Sequence, residues 1–267
     1  MTATAAHLTT GWELDLADDD SICLRWLRHW SAQLAAFAHA ADARVERDER
    51  YLLADHGRPA SYFNAAVLLR PWGDDAAFSA LVDEIEARIA TGTGAFYLWS
   101  LWPTPDLHAR GWELDGHPPL LVRPPSPVME FDGPVPDRVQ TPAALAAWER
   151  VVVEGYPMDD LRPFRPGVLA APALLDDPRL RFWTSSADGA PVTASAQFVD
   201  HGVAGFAMGV TLPGHRHLGH WAGHVRLRLA LEPDLWHVGV FSDHSRAGAE
   251  RAGFVPVVRH TLWHRNR

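Results

Sequence analysis

The chain has 267 residues, 47% of them hydrophobic, with 24 basic residues, all Arg, against 33 acidic ones and a formal net charge of −9. That apolar content supports a sizeable core shared between two small domains, and the acidic balance argues against a nucleic-acid partner, which needs basic surface in excess. The single cysteine, Cys23, excludes an internal disulfide and a thiolate metal cluster; no run approaches the roughly 18–20 apolar residues of a membrane span, so the sequence reads as unexported and cytoplasmic.

The first predicted element is an amphipathic helix over 21–41, with Ser21 as N-cap and Trp26, Leu27, Leu34 and Phe37 on its apolar face. Residues 44–54 and 61–69 read as two strands joined by a turn at 56–59. Asp74 and Asp75 open a second helix carrying Phe78, Leu81, Val82, Ile85 and Ile89. A short aromatic strand over 96–101, a short helix over 105–109 ended by Gly111, and an extended segment over 112–122 complete this unit. The stretch 124–142 carries six prolines and reads as a connector able to pair as an edge strand.

The same order then returns. Thr141 caps a helix through Leu145, Trp148, Val152 and Val153, a second helical piece is expected over 166–175, and strands over 180–186, 191–199 and 203–212. A helix over 219–231, a strand over 235–241, a short helix over 244–252 and a closing strand over 254–264 follow. Both halves end in a short helix, a glycine and an aromatic that starts a strand (Gly111-Trp112, Gly253-Phe254), which is consistent with internal duplication.

The stretch 203–224 is the most informative. An unbroken apolar strand is stopped by Pro213; Gly214 and Gly219 then allow a tight turn into a helix whose free N–H groups and dipole suit a pyrophosphate, with Arg216 adding a formal charge. His215, His217, His220 and His224 crowd this region, and His220 and His224 stand one helical turn apart, a spacing that zinc sites use. No Glu follows His220 as a base and no Cys or carboxylate lies close in sequence, so these imidazoles are expected to face phosphate or solvent and no metal is assigned. His260 and His264 are expected to be exposed on one strand face, and most of the twelve tryptophans to be core.

This arrangement resembles the GCN5-related N-acetyltransferase (GNAT) superfamily, and the whole chain resembles its two-repeat members, whose N-terminal repeat has lost its cofactor loop. The family's loop reads Gln/Arg-x-x-Gly-x-Gly/Ala; Arg216, His217, Leu218 and Gly219 fit it, while Trp221 stands at the last small position. The resemblance implies an α/β (α+β) fold of tandem repeats, each a mixed, mostly antiparallel sheet flanked by helices with a splayed central strand. It divides the chain into a degenerate repeat (1–125), a Pro-rich connector (126–140) and an acetyl-CoA-binding domain (141–267). Acetyl-CoA is then the expected co-substrate, held by Met208, Gly209, Val210, Leu212, Arg216, His217, Leu218, Gly219, His220 and Trp221. The acceptor is expected to be a small amine; the oligomeric state stays open. In the N-terminal repeat, Pro71 to Asp75 replaces the loop, and the two acids would repel a pyrophosphate.

Backbone N–H groups of Met208 to Val210 would polarise the thioester carbonyl. The family's Tyr, which protonates the leaving thiolate, is Ala249 here. Asp243, His201 and Glu130 are the candidate bases, beside Asp200 and the cluster Asp243-His244-Ser245; Asp243 as a helix cap and Asp200-His201-Gly202 as a hairpin turn are the structural alternatives. Tyr97, Trp99 and Trp102 are candidate walls of an acceptor cleft. An acyl-CoA-binding protein without turnover, or a same-fold transferase using aminoacyl-tRNA, are the alternative functions; the acidic charge counts against the latter.

Overall fold

The computed structural model describes residues 21–89, 91–127, 133 and 135–267. In chain order the regular elements are α1 (Ile22–Ala40), β1 (Arg44–Arg47), β2 (Tyr51–Asp55), β3 (Ala65–Leu68), α2 (Asp75–Ile89), β4 (Ala95–Ser100), β5 (Glu113–Gly116), β6 (Pro119–Arg123) and β7 (Asp137–Arg138). They continue with α3 (Pro142–Gly155), β8 (Leu180–Ala187), β9 (Ala190–Asp200), β10 (Val203–Thr211), α4 (His220–Leu231), β11 (Trp236–Val240), α5 (Asp243–Arg251), β12 (Val255–Arg259) and β13 (Thr261–Asn266).

The helix starts follow the expected chemistry. Ser21 accepts from the Cys23 N–H (3.2 Å), Asp74 from the Ala77 N–H (2.8 Å) and Thr141 from the Ala144 N–H (3.2 Å), so each satisfies a donor that has no partner within its helix.

Two mixed sheets repeat one plan. The first runs β1-β2-β3-β4-β13-β5 and the second β7-β8-β9-β10-β11-β6-β12. In each, a single parallel pair (β3 with β4, β10 with β11) sits inside an otherwise antiparallel sheet. Helix α1 lies between the sheets, touching β1 to β3 on one side and β9 and β10 on the other. Its Leu27, Leu34 and Phe37 share one core with Trp148 and Val152 of α3. Helix α2 covers the outer face of the first sheet through Phe78, Leu81 and Ile85, and α4 and α5 cover the outer face of the second through Val225, Leu229 and Ala249.

Neither sheet is built from one side of the connector. Strand β6, before it, pairs with β11 and β12, while β13, from the far end of the second half, inserts between β4 and β5. The single strands expected over 112–122 and 254–264 therefore each break in two. The first parts at Gly116, whose φ of 136° only glycine adopts readily, and the second at His260.

Two further expectations change. Residues 44–55 are a hairpin, because Asp48 accepts from the N–H groups of Arg50 (2.6 Å) and Tyr51 (3.1 Å) and turns the chain there. The helix expected over 166–175 is only a short 3-10 turn at Pro172–Asp176. The N–H groups of Gly167 (2.7 Å), Leu169 and Ala170 (3.0 Å) instead bind the buried carboxylate of Glu149 on α3, so they are not available to a helix ladder. The edge strand expected in the connector is β7, which pairs with β8.

Candidate active site

The site begins where β10 and β11 part. Their parallel pairing runs from Val203 opposite Trp236 to Phe206 opposite Gly239; beyond it β10 has no partner in β11. On its other edge the register of β10 with β9 slips between Ala207 and Val210, and Met208 at the slip has φ of 51°, a left-handed conformation that costs a non-glycine residue. The bulge is held from the inner face of the sheet by Tyr156, just past α3, whose hydroxyl donates to the Gly209 carbonyl (3.1 Å). Burial pushes that hydroxyl up to about 12, so it stays a donor at any ordinary pH. Residues 207–209 are half-buried and so reachable from the gap.

Past Thr211 the chain turns through Pro213–His215 to Gly219, whose φ of 84° caps α4 in the left-handed region. Arg216 donates through Nε to the Thr211 carbonyl (3.1 Å), and residues 216–219 are exposed. The first turn of α4 thus presents N–H groups without helical acceptors beside a guanidinium, at the end of β10 where the gap opens, an arrangement that suits a phosphate-bearing ligand.

Trp221, the large residue at the small position, turns its ring away from this loop. The indole rests on Gly248 of α5, where any Cβ would stand 2.8 Å from Cζ3. It joins the cluster of Phe206, Val225 and Phe254. The glycine on the facing helix makes room for the indole, so the helix N-terminus is left clear.

The histidines of α4 behave differently from expectation. His224 does not face solvent: it is 1% exposed, with Nε2 2.9 Å from Ser185 Oγ and Nδ1 2.6 Å from Ser195 Oγ, and burial lowers it to about 3. His220 is also buried rather than turned to phosphate. His260, expected to be exposed, is 2% exposed and receives the Trp26 Nε1–H bond at 2.9 Å.

Of the candidate bases, Asp243 is the one at this end of the sheet: it is the first residue of α5, directly after β11, and is exposed. Ser242, not Asp243, is the N-cap position. His201 sits in the β9–β10 turn at the opposite end of β10, with Asp200 bound to Arg179 (2.9 Å). Met208 is seven positions further along the chain, roughly 20 Å at about 3.3 Å per residue, so His201 cannot serve the bulge. Glu130 lies outside the described residues. Ala249, on the inward face of α5, is fully buried, so that position offers no acid. Of the proposed cleft walls, Trp99 is core, edge-on to His260, whereas Tyr97 is half-buried and packs on Tyr62 with centroids 4.7 Å apart.

Two site residues escaped the sequence reading, Tyr156 and Arg228. Arg228 is 2% exposed; its Nε donates to the His224 carbonyl (2.9 Å) and Nη1 to the Ala196 carbonyl (3.0 Å), with its guanidinium 4.0 Å over the Phe206 ring. Burial pulls it down to about 9. The spacing of Trp221, His224, Val225 and Arg228 on one helix face was the available signal.

No family model matches the chain, and no curated protein matches it by sequence. Solved structures do. A GCN5-related N-acetyltransferase from Kribbella flavida aligns with TM-score 0.61 and 20% identity over 88% of this chain and 95% of that one. A GNAT-family protein from Novosphingobium aromaticivorans gives 0.58 and 14% over 91% and 96%. A GCN5-related N-acetyltransferase from Sphaerobacter thermophilus gives 0.52 and 11% over 89% and 91%. The chain has the GNAT fold, as two mostly antiparallel sheets with flanking helices.

Proposed function

We propose that this protein is an acyl-CoA-dependent N-acyltransferase acting on a small amine. The observation that carries the reading is the bulge at Met208 and Gly209 lying beside the Gly219-capped helix: an unpaired strand edge for a thioester and a phosphate cradle at one end of one strand. In the reaction, the amine nitrogen bonds to the thioester carbonyl carbon and the C–S bond breaks, giving an amide and the CoA thiolate. The amine's proton leaves to a base, and among the candidate bases within the described residues Asp243 is the carboxylate beside the end of β11. With Ala249 in place of an acid, the thiolate departs unprotonated, tolerable for a thiol of pKa about 8.5.

Calorimetric titration with acetyl-CoA tests the reading. Binding should be weakened at least tenfold by Gly219→Val, because a β-branched residue resists φ of 84° and stands between the backbone and a phosphate; unchanged affinity in that variant overturns it. The absence of an acid at Ala249 favours a second reading, acyl-CoA binding without turnover, and an amine panel with detection of free thiol separates the two.

A further inference from the structure

The second donor arm of Arg228 is not used by the fold. Nε and Nη1 are bound to carbonyls of α4 and β9, but Nη2 donates no hydrogen bond among the described residues, and no carboxylate pairs with this guanidinium there. Nη2 points to Gly209. It lies 3.6 Å from the place a Cβ would occupy on that residue, and the Trp221 Nε1 lies 3.7 Å from the same place. The indole nitrogen also donates no hydrogen bond among the described residues, because the ring's packing on Gly248 fixes it without engaging that atom. Two N–H donors therefore converge over the one position of the bulge that has no side chain.

A neutral acyl group leaves this arrangement unexplained. Enclosing a guanidinium costs heavily unless an anion shares the site, and the partners here are neutral carbonyls and a ring face. Hydrogen bonds from a charged donor to an ionised acceptor are about twice as strong as those between neutral groups, so a carboxylate suits Nη2 better than a carbonyl does. Resting on the reading of the gap as the acyl-CoA site, we propose that the acyl group carries a terminal carboxylate, bound by Nη2 of Arg228 and Nε1 of Trp221 above Gly209. Tyr156, on the opposite side of the strand, fixes the Gly209 carbonyl and so the floor of this pocket. The donor class is a short dicarboxylic acyl-CoA.

The test titrates the protein with succinyl-CoA and with butyryl-CoA, which matches it in chain length without the charge. Succinyl-CoA should bind at least tenfold more tightly. Arg228→Met, which keeps the volume and removes the buried charge, should abolish the difference while thermal melts report an intact fold. Trp221→Phe, which keeps the ring and removes the donor, should reduce it several-fold. Gly209→Ala should abolish it too, since its methyl would sit at ordinary contact distance from both donors and fill the pocket. Equal affinity for the two thioesters in the unaltered protein overturns the proposal, as does a preference that survives Arg228→Met. If acetyl-CoA-loaded protein instead binds glycine more tightly than methylamine and Arg228→Met removes that difference, the carboxylate belongs to the acceptor and the assignment to the acyl group falls. If neither thioester nor CoA binds, the reading of the gap as a CoA site fails, and this proposal with it.

Discussion

The imidazole of His29, on the helix between the two sheets, stands directly against Gly205 in the central strand of the second sheet. His29 is fully buried, its Nε2 2.9 Å from the Phe198 carbonyl, and a Cβ on Gly205 would overlap the ring. The first expected outcome follows. Gly205→Ala should destabilise the protein by about 1–3 kcal/mol, the usual cost of forcing extra volume into a packed core. A denaturant midpoint equal to that of the unaltered protein would show that α1 can shift away, contrary to the tight contact.

Trp221→Ala should remove the indole from Gly248. For a half-buried ring the loss is about 2–3 kcal/mol, below the range for a fully buried aromatic, and CoA affinity should not improve because the ring already lies clear of the helix N-terminus. Paired thermal melts and CoA titrations check this; tighter binding at unchanged stability would mean that the ring obstructs the phosphate site.

Acid should unfold the protein early. Burial holds His29, His237 and His260 at about 4 and His224 at about 3, so between pH 6.5 and 4 the unfolded chain takes up protons that the folded chain refuses. Stability is therefore present above 6.5 and falls as pH drops, by about 1.4 kcal/mol per pH unit for each such imidazole. Urea midpoints at pH 7, 6 and 5 should decline at every step; a midpoint constant over that window would contradict the burial of these rings.

One CoA should bind per chain. In the first sheet the helix after β3 is opened by Asp74, which accepts from the Ala77 N–H at 2.8 Å, and by Asp75. The donors and positive potential that a phosphate would need are engaged by carboxylates. Calorimetry should give a stoichiometry near one, and a value of two would refute the distinction between the halves.

The long helices α1 to α4, their caps and the loop at Gly219 were legible because each depends on chemistry within a few residues: a hydroxyl at Ser21, a carboxylate at Asp74, a glycine where φ must be positive; the helices expected over 105–109 and 166–175 are only 3-10 turns. What was hidden depends on distant partners. The break at Gly116 could be suspected, but nothing local says that β6 leaves for the second sheet or that β13 arrives in the first, since apolar β-formers suit either. Tyr156 and Arg228 were missed for the same reason. Each gains its role only when α3 and α4 pack on opposite faces of β10, and His201, adjacent to that strand in sequence, proves to lie at its wrong end.

The traded strands also order events during synthesis. Strand β4 is made with Phe96 and Leu98 destined for burial, yet the strand that pairs its open edge, β13, is translated only after α4 and α5. Until then the nascent first half carries an unpaired apolar edge, the feature by which strands of neighbouring molecules find one another. Strand β5 is attached to its sheet through β13 alone, so it too must wait. The molecule cannot mature half by half as it leaves the ribosome: the earlier half stays an open template, held by α1 and α2, until β13 inserts between β4 and β5.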